Sequence, residues 1–148
     1  MIWKPHVTVA AVLECEGRFL LVEEETDEGI RFNQPAGHLE CREALTEAVI
    51  REVLEETGRT FVPESLVGVY QWRREAKDIT YLRFVFAGRI TAHDSARPLD
   101  QGIIAAHWLT FDEIHARRGQ LRSPMVLRCI QDYCAGRRYP LDVMTSCE

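Results

Sequence analysis

The sequence predicts an α/β fold, an α/β/α sandwich with a central mixed sheet, on three observations. Runs rich in β-branched and apolar residues recur from one end of the chain to the other. A long amphipathic stretch rich in glutamate interrupts them before the midpoint, and a second amphipathic stretch follows the last of them. Strands arranged around two such helices bury their apolar faces by placing a sheet between helical layers.

Residues 6–14 (HVTVAAVLE) are apolar enough for a buried strand, and residues 18–24 (RFLLVEE) read as its hairpin partner across Glu16-Gly17. Thr26-Asp27-Glu28-Gly29 is a turn, and residues 30–34 form a short extended piece that ends at Pro35. A loop over 37–42 feeds a helix over about 43–57, whose apolar positions Ala44, Leu45, Ala48, Val49 and Val53 give it a buried side opposite its acids. Residues 65–73 and 79–91 predict two long strands joined by the charged turn 74–78, and residues 103–109 predict another. Thr110 is positioned to cap a short helix that begins at Phe111. Ser123-Pro124 opens the last helix, and Gly136 ends it.

At 148 residues the chain is most simply one domain, residues 1–148, and no repeat or linker divides it. With 46% hydrophobic and 28% charged residues the composition is globular. A net charge of −5 supplies no overall basic field for a nucleic-acid polymer or an anionic membrane. The five cysteines show no Cys-x-x-Cys pair or zinc spacing, which fits a reducing cytoplasm, and the first residues contain no apolar signal core. Cys41, inside the loop before the acidic helix, reads as a passive small residue and not a nucleophile. A monomer and a homodimer are both compatible with this surface.

Glu52, Glu55 and Glu56 carry the chemistry. On a helix they share one stripe of about 100°, and like charges at that spacing repel. An isolated Glu-Glu pair would be a solvated face. The complete spacing, from Gly37 through Glu43 to Arg51-Glu52-Val53-Leu54-Glu55-Glu56-Thr57-Gly58, asks for a positive partner. Oxygen ligands with no His or Cys among them suit Mg²⁺ or Mn²⁺ better than zinc. Gly58 is the least diagnostic member, because helices commonly end on glycine.

The pattern Gly-x5-Glu-x7-Arg-Glu-Val-x-Glu-Glu-x-Gly, running from Gly37 to Gly58, resembles the signature of the Nudix hydrolases. The resemblance implies the Nudix-type α/β/α sandwich and a metal-dependent cleavage of a phosphoanhydride in a small molecule. It implies that Glu52, Glu55 and Glu56 hold the cations, with the Ala36 carbonyl as a further ligand. It assigns the catalytic roles to Glu52, Glu55 and Arg51, with Arg51 orienting the acids and Glu43 supporting it. The general base is Glu55, Glu56 or a loop acid such as Asp100. The family commonly has Ser where this chain has Ala44, which weakens the helix cap, and an aliphatic residue where it has Arg59.

The segments 4–10, 33–40, 121–124 and 138–141 are similar to those of the NudJ-type phosphatases within that family. This similarity implies release of orthophosphate from nucleoside tri- and diphosphates and from pyrimidine pyrophosphates of thiamine metabolism, including thiamine pyrophosphate. A nucleotide-sugar or dinucleotide pyrophosphatase is the alternative enzyme, and a non-catalytic nucleotide-sensing module is the alternative of another class. Such a module tends to lose carboxylates, and this chain keeps them. Candidate substrate-binding residues are Arg83, Arg31, His6 and Trp72. Arg83, in an apolar strand, meets either a substrate phosphate or a structural carboxylate. Trp72 either stacks a heterocycle or fills core, and His6 and Arg31 carry the same two readings.

Overall fold

In the computed structural model, which describes residues 1–147, the chain forms a mixed α/β structure. Its strands are β1 (His6–Val12), β2 (Glu14–Cys15), β3 (Arg18–Thr26), β4 (Gly29–Asn33), β5 (Ala36–His38), β6 (Arg59–Arg74), β7 (Ile79–His93) and β8 (Ile103–Thr110). Its helices are α1 (Leu45–Thr57), α2 (Phe111–Ala116) and α3 (Pro124–Cys134). A mixed sheet in the order β5-β1-β7-β6 lies at the centre, with β1 parallel to β7 and the other pairs antiparallel. Beside it, β3 pairs antiparallel with β2, β4 and β8.

β1 explains the layering. Val9, Ala11 and Leu13 face a core that contains Ala48, Val49 and Val53 of α1, while Ala10 and Val12 face a second core with Ile114 of α2 and Ile130 of α3. A strand covered on both faces needs an unbroken apolar run, which is what 9–13 provides. Each such side chain, once fully buried, contributes about 1.5–3 kcal/mol. The two cores lie on opposite sides of the central sheet, so helices cover both of its faces.

Two differences from the sequence reading have physical causes. The expected hairpin between 6–14 and 18–24 survives only at its tip, where Glu14 faces Phe19 and Leu20 N donates to Leu13 O at 3.0 Å. The rest of β1 joins β7 and β5 because its doubly apolar pattern demands the centre of a sheet. The strand expected from residue 65 begins at Arg59, since β6 is an edge strand and its bulge around Pro63 tolerates a residue without an N–H donor.

The helix ends follow local chemistry. Ala44 at the start of α1 has no side-chain acceptor, so only half a capping box forms, with Ala44 N donating to Glu47 Oε1 at 2.9 Å. Gly58 closes the helix at φ 70°, its N–H bonding Leu54 O at 2.9 Å. Thr110 and Glu113 complete a reciprocal box on α2, and Ser123 Oγ accepts from Met125 N on α3. Among the described residues no helix is long and apolar enough to cross a membrane.

Candidate active site

The acidic stripe of α1 faces the short strand β5, and each acid has a distinct neighbour. Arg51 is the hub. Its Nε donates to Glu43 Oε2 at 2.6 Å, and one terminal nitrogen donates to Glu52 Oε1 at 2.8 Å and to Glu55 Oε2 at 3.3 Å. The other reaches Glu43 Oε1 and the His38 carbonyl, both at 3.0 Å. One planar guanidinium thus fixes three carboxylates and the loop opposite.

Glu52 and Glu56 are buried although they are charged residues on a helix surface. Burial pushes Glu52 up to about 7, against the pull of Arg51, and pushes Glu56 up to about 9. Glu55 is raised as well, first by burial and then by the charge of Asp100. Glu56 Oε1 accepts the Ala36 N–H at 2.9 Å, which ties helix to loop. Carboxylates held this way favour either protons or a bound cation.

Ligand oxygens of Glu52, Glu55 and Asp100 lie within 4.8 Å of one another. Asp100 arrives from the exposed loop between β7 and β8, where its N–H bonds Glu55 O at 3.0 Å. That loop is also clasped at its ends, by Asp94 N to Gly58 O at 2.9 Å and Glu25 N to Gly102 O at 2.8 Å. An all-oxygen cluster with one shared arginine fits a hard divalent ion in its donor chemistry. Glu56 stands on the same stripe, bonded to the Ala36 amide.

Beside this cluster a cavity of about 190 Å³ opens, with Ala36, Gly37 and His38 forming one wall. Arg83 lies across it, only 3% exposed, with one nitrogen donating to Asn33 Oδ1 at 2.8 Å. Among the described residues no carboxylate comes within ion-pairing distance of it, and burial lowers its pKa. Glu24 also lines the cavity, its pKa raised by burial in spite of Arg122, whose nitrogen stands 3.7 Å away. Trp72 and Tyr81 line the outer part and stack on each other, with centroids 5.8 Å apart at 15°.

His6 stands at the edge of this arrangement, its Nδ1 3.1 Å from His38 Nε2 and its ring edge-on to Tyr81. Arg31 does not line the cavity, and one of its nitrogens donates to the Ile30 carbonyl. Glu24, Asn33, Tyr81 and Arg122 escaped the sequence reading. A signal existed for Glu24, which continues the period-two face of Leu20 and Val22 into the acidic run. None existed for Arg122, which a turn between α2 and α3 delivers.

The sequence matches the NUDIX domain over residues 3–129. The chain belongs to the NUDIX family. It is 42% identical to the Phosphatase NudJ of Escherichia coli (strain K12) over 142 residues, which cover 96% of this chain and 92% of that protein. A NUDIX hydrolase from Nitrosomonas europaea superposes with a TM-score of 0.95 at 50% identity, covering 97% of this chain and 98% of that one. The MutT protein from Methanosarcina mazei Go1 follows the same fold, with a TM-score of 0.69 at 26% identity over 93% and 99% of the two chains. The protein is a Nudix hydrolase.

Proposed function

We propose that this Nudix hydrolase is a Mg²⁺-dependent phosphatase, with Mn²⁺ able to substitute. In this reading it removes orthophosphate from nucleoside tri- and diphosphates and from pyrimidine pyrophosphates related to thiamine, including thiamine pyrophosphate. It works as one cytoplasmic domain spanning 1–148, as a monomer or homodimer. The observation that carries the reading is Arg83, a buried cation without a carboxylate partner that faces a cavity walled by Ala36 and Gly37. A guanidinium in that position is neutralised by a phosphate. The NudJ relative is named a phosphatase, which agrees with the product we assign.

The residues divide the work as follows. Glu52, Glu55 and Glu56, with Asp100 and the Ala36 carbonyl, would hold the cations. When bound, the ions neutralise phosphate charge and make a water an effective nucleophile. Arg51 keeps Glu52 and Glu55 in register with the loop and is itself held by Glu43. Arg83 and Asn33 orient the phosphate, and Trp72 receives the organic group. Glu55, the most exposed of the three helix acids and the one beside Asp100, accepts the proton of the attacking water. His6 acts at the margin of the cavity by setting His38, whereas Arg31, outside the cavity lining, takes no direct part.

A panel of nucleoside tri- and diphosphates, thiamine pyrophosphate, a dinucleotide polyphosphate and a nucleotide sugar, incubated with Mg²⁺ and assayed separately for orthophosphate, pyrophosphate and monophosphates, tests this. Orthophosphate as the first product is expected. Paired monophosphates from dinucleotides or nucleotide sugars, without orthophosphate, would move the cleavage inside the diphosphate and overturn the assignment.

A further inference from the structure

Trp72 belongs to two cavities. Besides the one walled by Ala36, Gly37 and His38, a second of about 690 Å³ adjoins it and shares the walls Trp72, Arg74, Arg122 and Ser123. Tyr81 lines only the first, and it covers one face of the Trp72 ring by stacking. Ala76, Leu121, Pro124 and Leu127 line only the second and give it an apolar strip beside Trp72, while Glu28, Arg74, Glu75, Arg118 and Arg122 supply a charged rim. Sites that enclose a whole small ligand measure roughly 300–1,000 Å³. The first cavity, at about 190 Å³, falls short of that range and already contains the buried charge of Arg83.

We propose that the second cavity is the binding site for the planar heterocycle of the substrate, which stacks on the face of Trp72 turned away from Tyr81, while the phosphates occupy the first. The inference rests on the phosphatase reading above and adds where the organic part of the substrate is selected. Trp72 is common to both cavities and is stacked on Tyr81, which lines only the first. Leu121, Pro124 and Leu127 supply apolar surface to the same cavity as Trp72. Selection by stacking tolerates many heterocycles, since every aromatic base offers a π-face.

Two substitutions test this by calorimetric titration with two probes that share a phosphate chain, a β,γ-imido nucleoside triphosphate and inorganic tripolyphosphate. Ala76→Trp places bulk in the second cavity from an exposed turn, and Trp72→Leu removes the platform. The nucleotide probe is expected to bind wild type more tightly than tripolyphosphate does, and each variant should lose about tenfold for the nucleotide. Tripolyphosphate affinity should stay within about twofold of wild type in Ala76→Trp. Equal weakening of both probes, unchanged nucleotide affinity in both variants, or equal affinity of wild type for the two probes would overturn the proposal. Orthophosphate release by wild type, measured in parallel, tests the phosphatase reading separately, because the binding ratio is read without turnover.

Discussion

Gly37 lies against the Glu52 carboxylate so closely that a Cβ on the glycine would stand 2.1 Å from the carboxyl carbon and from one of its oxygens. The short strand β5 and the first acid of the α1 stripe are therefore fitted to each other, atom against atom. Steric room is what Gly37 supplies here.

Gly37→Ala should consequently displace Glu52 while leaving the sheet intact, because Gly37 sits in the three-residue edge strand β5. Turnover should fall by about tenfold to a hundredfold, as for other losses of ligand orientation. Circular dichroism and kinetics with saturating Mg²⁺ check this, and near-normal activity would contradict the fit described.

Glu55→Gln should reduce kcat by about a hundredfold or more, the scale of a lost proton acceptor. Glu43→Gln should cost less, since Arg51 keeps its bonds to Glu52, Glu55 and the His38 carbonyl. Comparison of the two variants under identical conditions decides the order, and a larger loss for Glu43→Gln would reverse the roles.

Glu52 and Glu56 give the protein a pH dependence of defined sign. Their folded-state values, about 7 and about 9, are raised above the ordinary 4.5, so the fold binds their protons more tightly than the unfolded chain does. The stability they contribute is complete below the ordinary value and is lost as pH rises through the raised ones. Metal-free protein should therefore melt at lower temperature as pH increases from about 5 to 9, all else equal. Added Mg²⁺ should raise Tm more at the alkaline end, because binding displaces protons. Scanning fluorimetry with EDTA or Mg²⁺ across this range measures both, and a Tm gain independent of pH would count against the cluster as the metal site.

Arg83→Met removes a buried charge that, among the described residues, has no carboxylate within ion-pairing distance and is met by Glu24 and Glu56 only at longer range. Stability should hold or improve, while KM for a phosphorylated substrate should rise by about tenfold or more, the value of a charge-assisted hydrogen bond. An unchanged KM with a large loss of stability would make Arg83 a structural residue.

Much of this was legible in the chain. The acids of α1 could be placed because helical periodicity is local, and its end was readable because Gly58 adopts a left-handed conformation that glycine takes without strain. Strand partners were less legible. The tip Glu16-Gly17 announces a hairpin, yet the unbroken apolar run of 9–13 sends β1 to the centre of another sheet, and only tertiary packing decides between these demands. The cavity was legible in part. Arg83 and Trp72 stand out as unusual residues in strands, whereas Glu24, Asn33 and Arg122 meet only because β3, β4 and the turn before α3 converge.

The segment from Asp94 to Gly102 is clasped to Gly58 at one end and to β3 at the other, and it reaches the acids at Asp100, by a backbone bond to Glu55 and by its carboxylate. Chain held at both margins can be lengthened, shortened or rewritten between them without passing strain to the sheet. Residues 95–100 thus form an exchangeable cassette, through which the identity and reach of the carboxylate at position 100 can diversify while the helix that anchors the remaining acids stays constant.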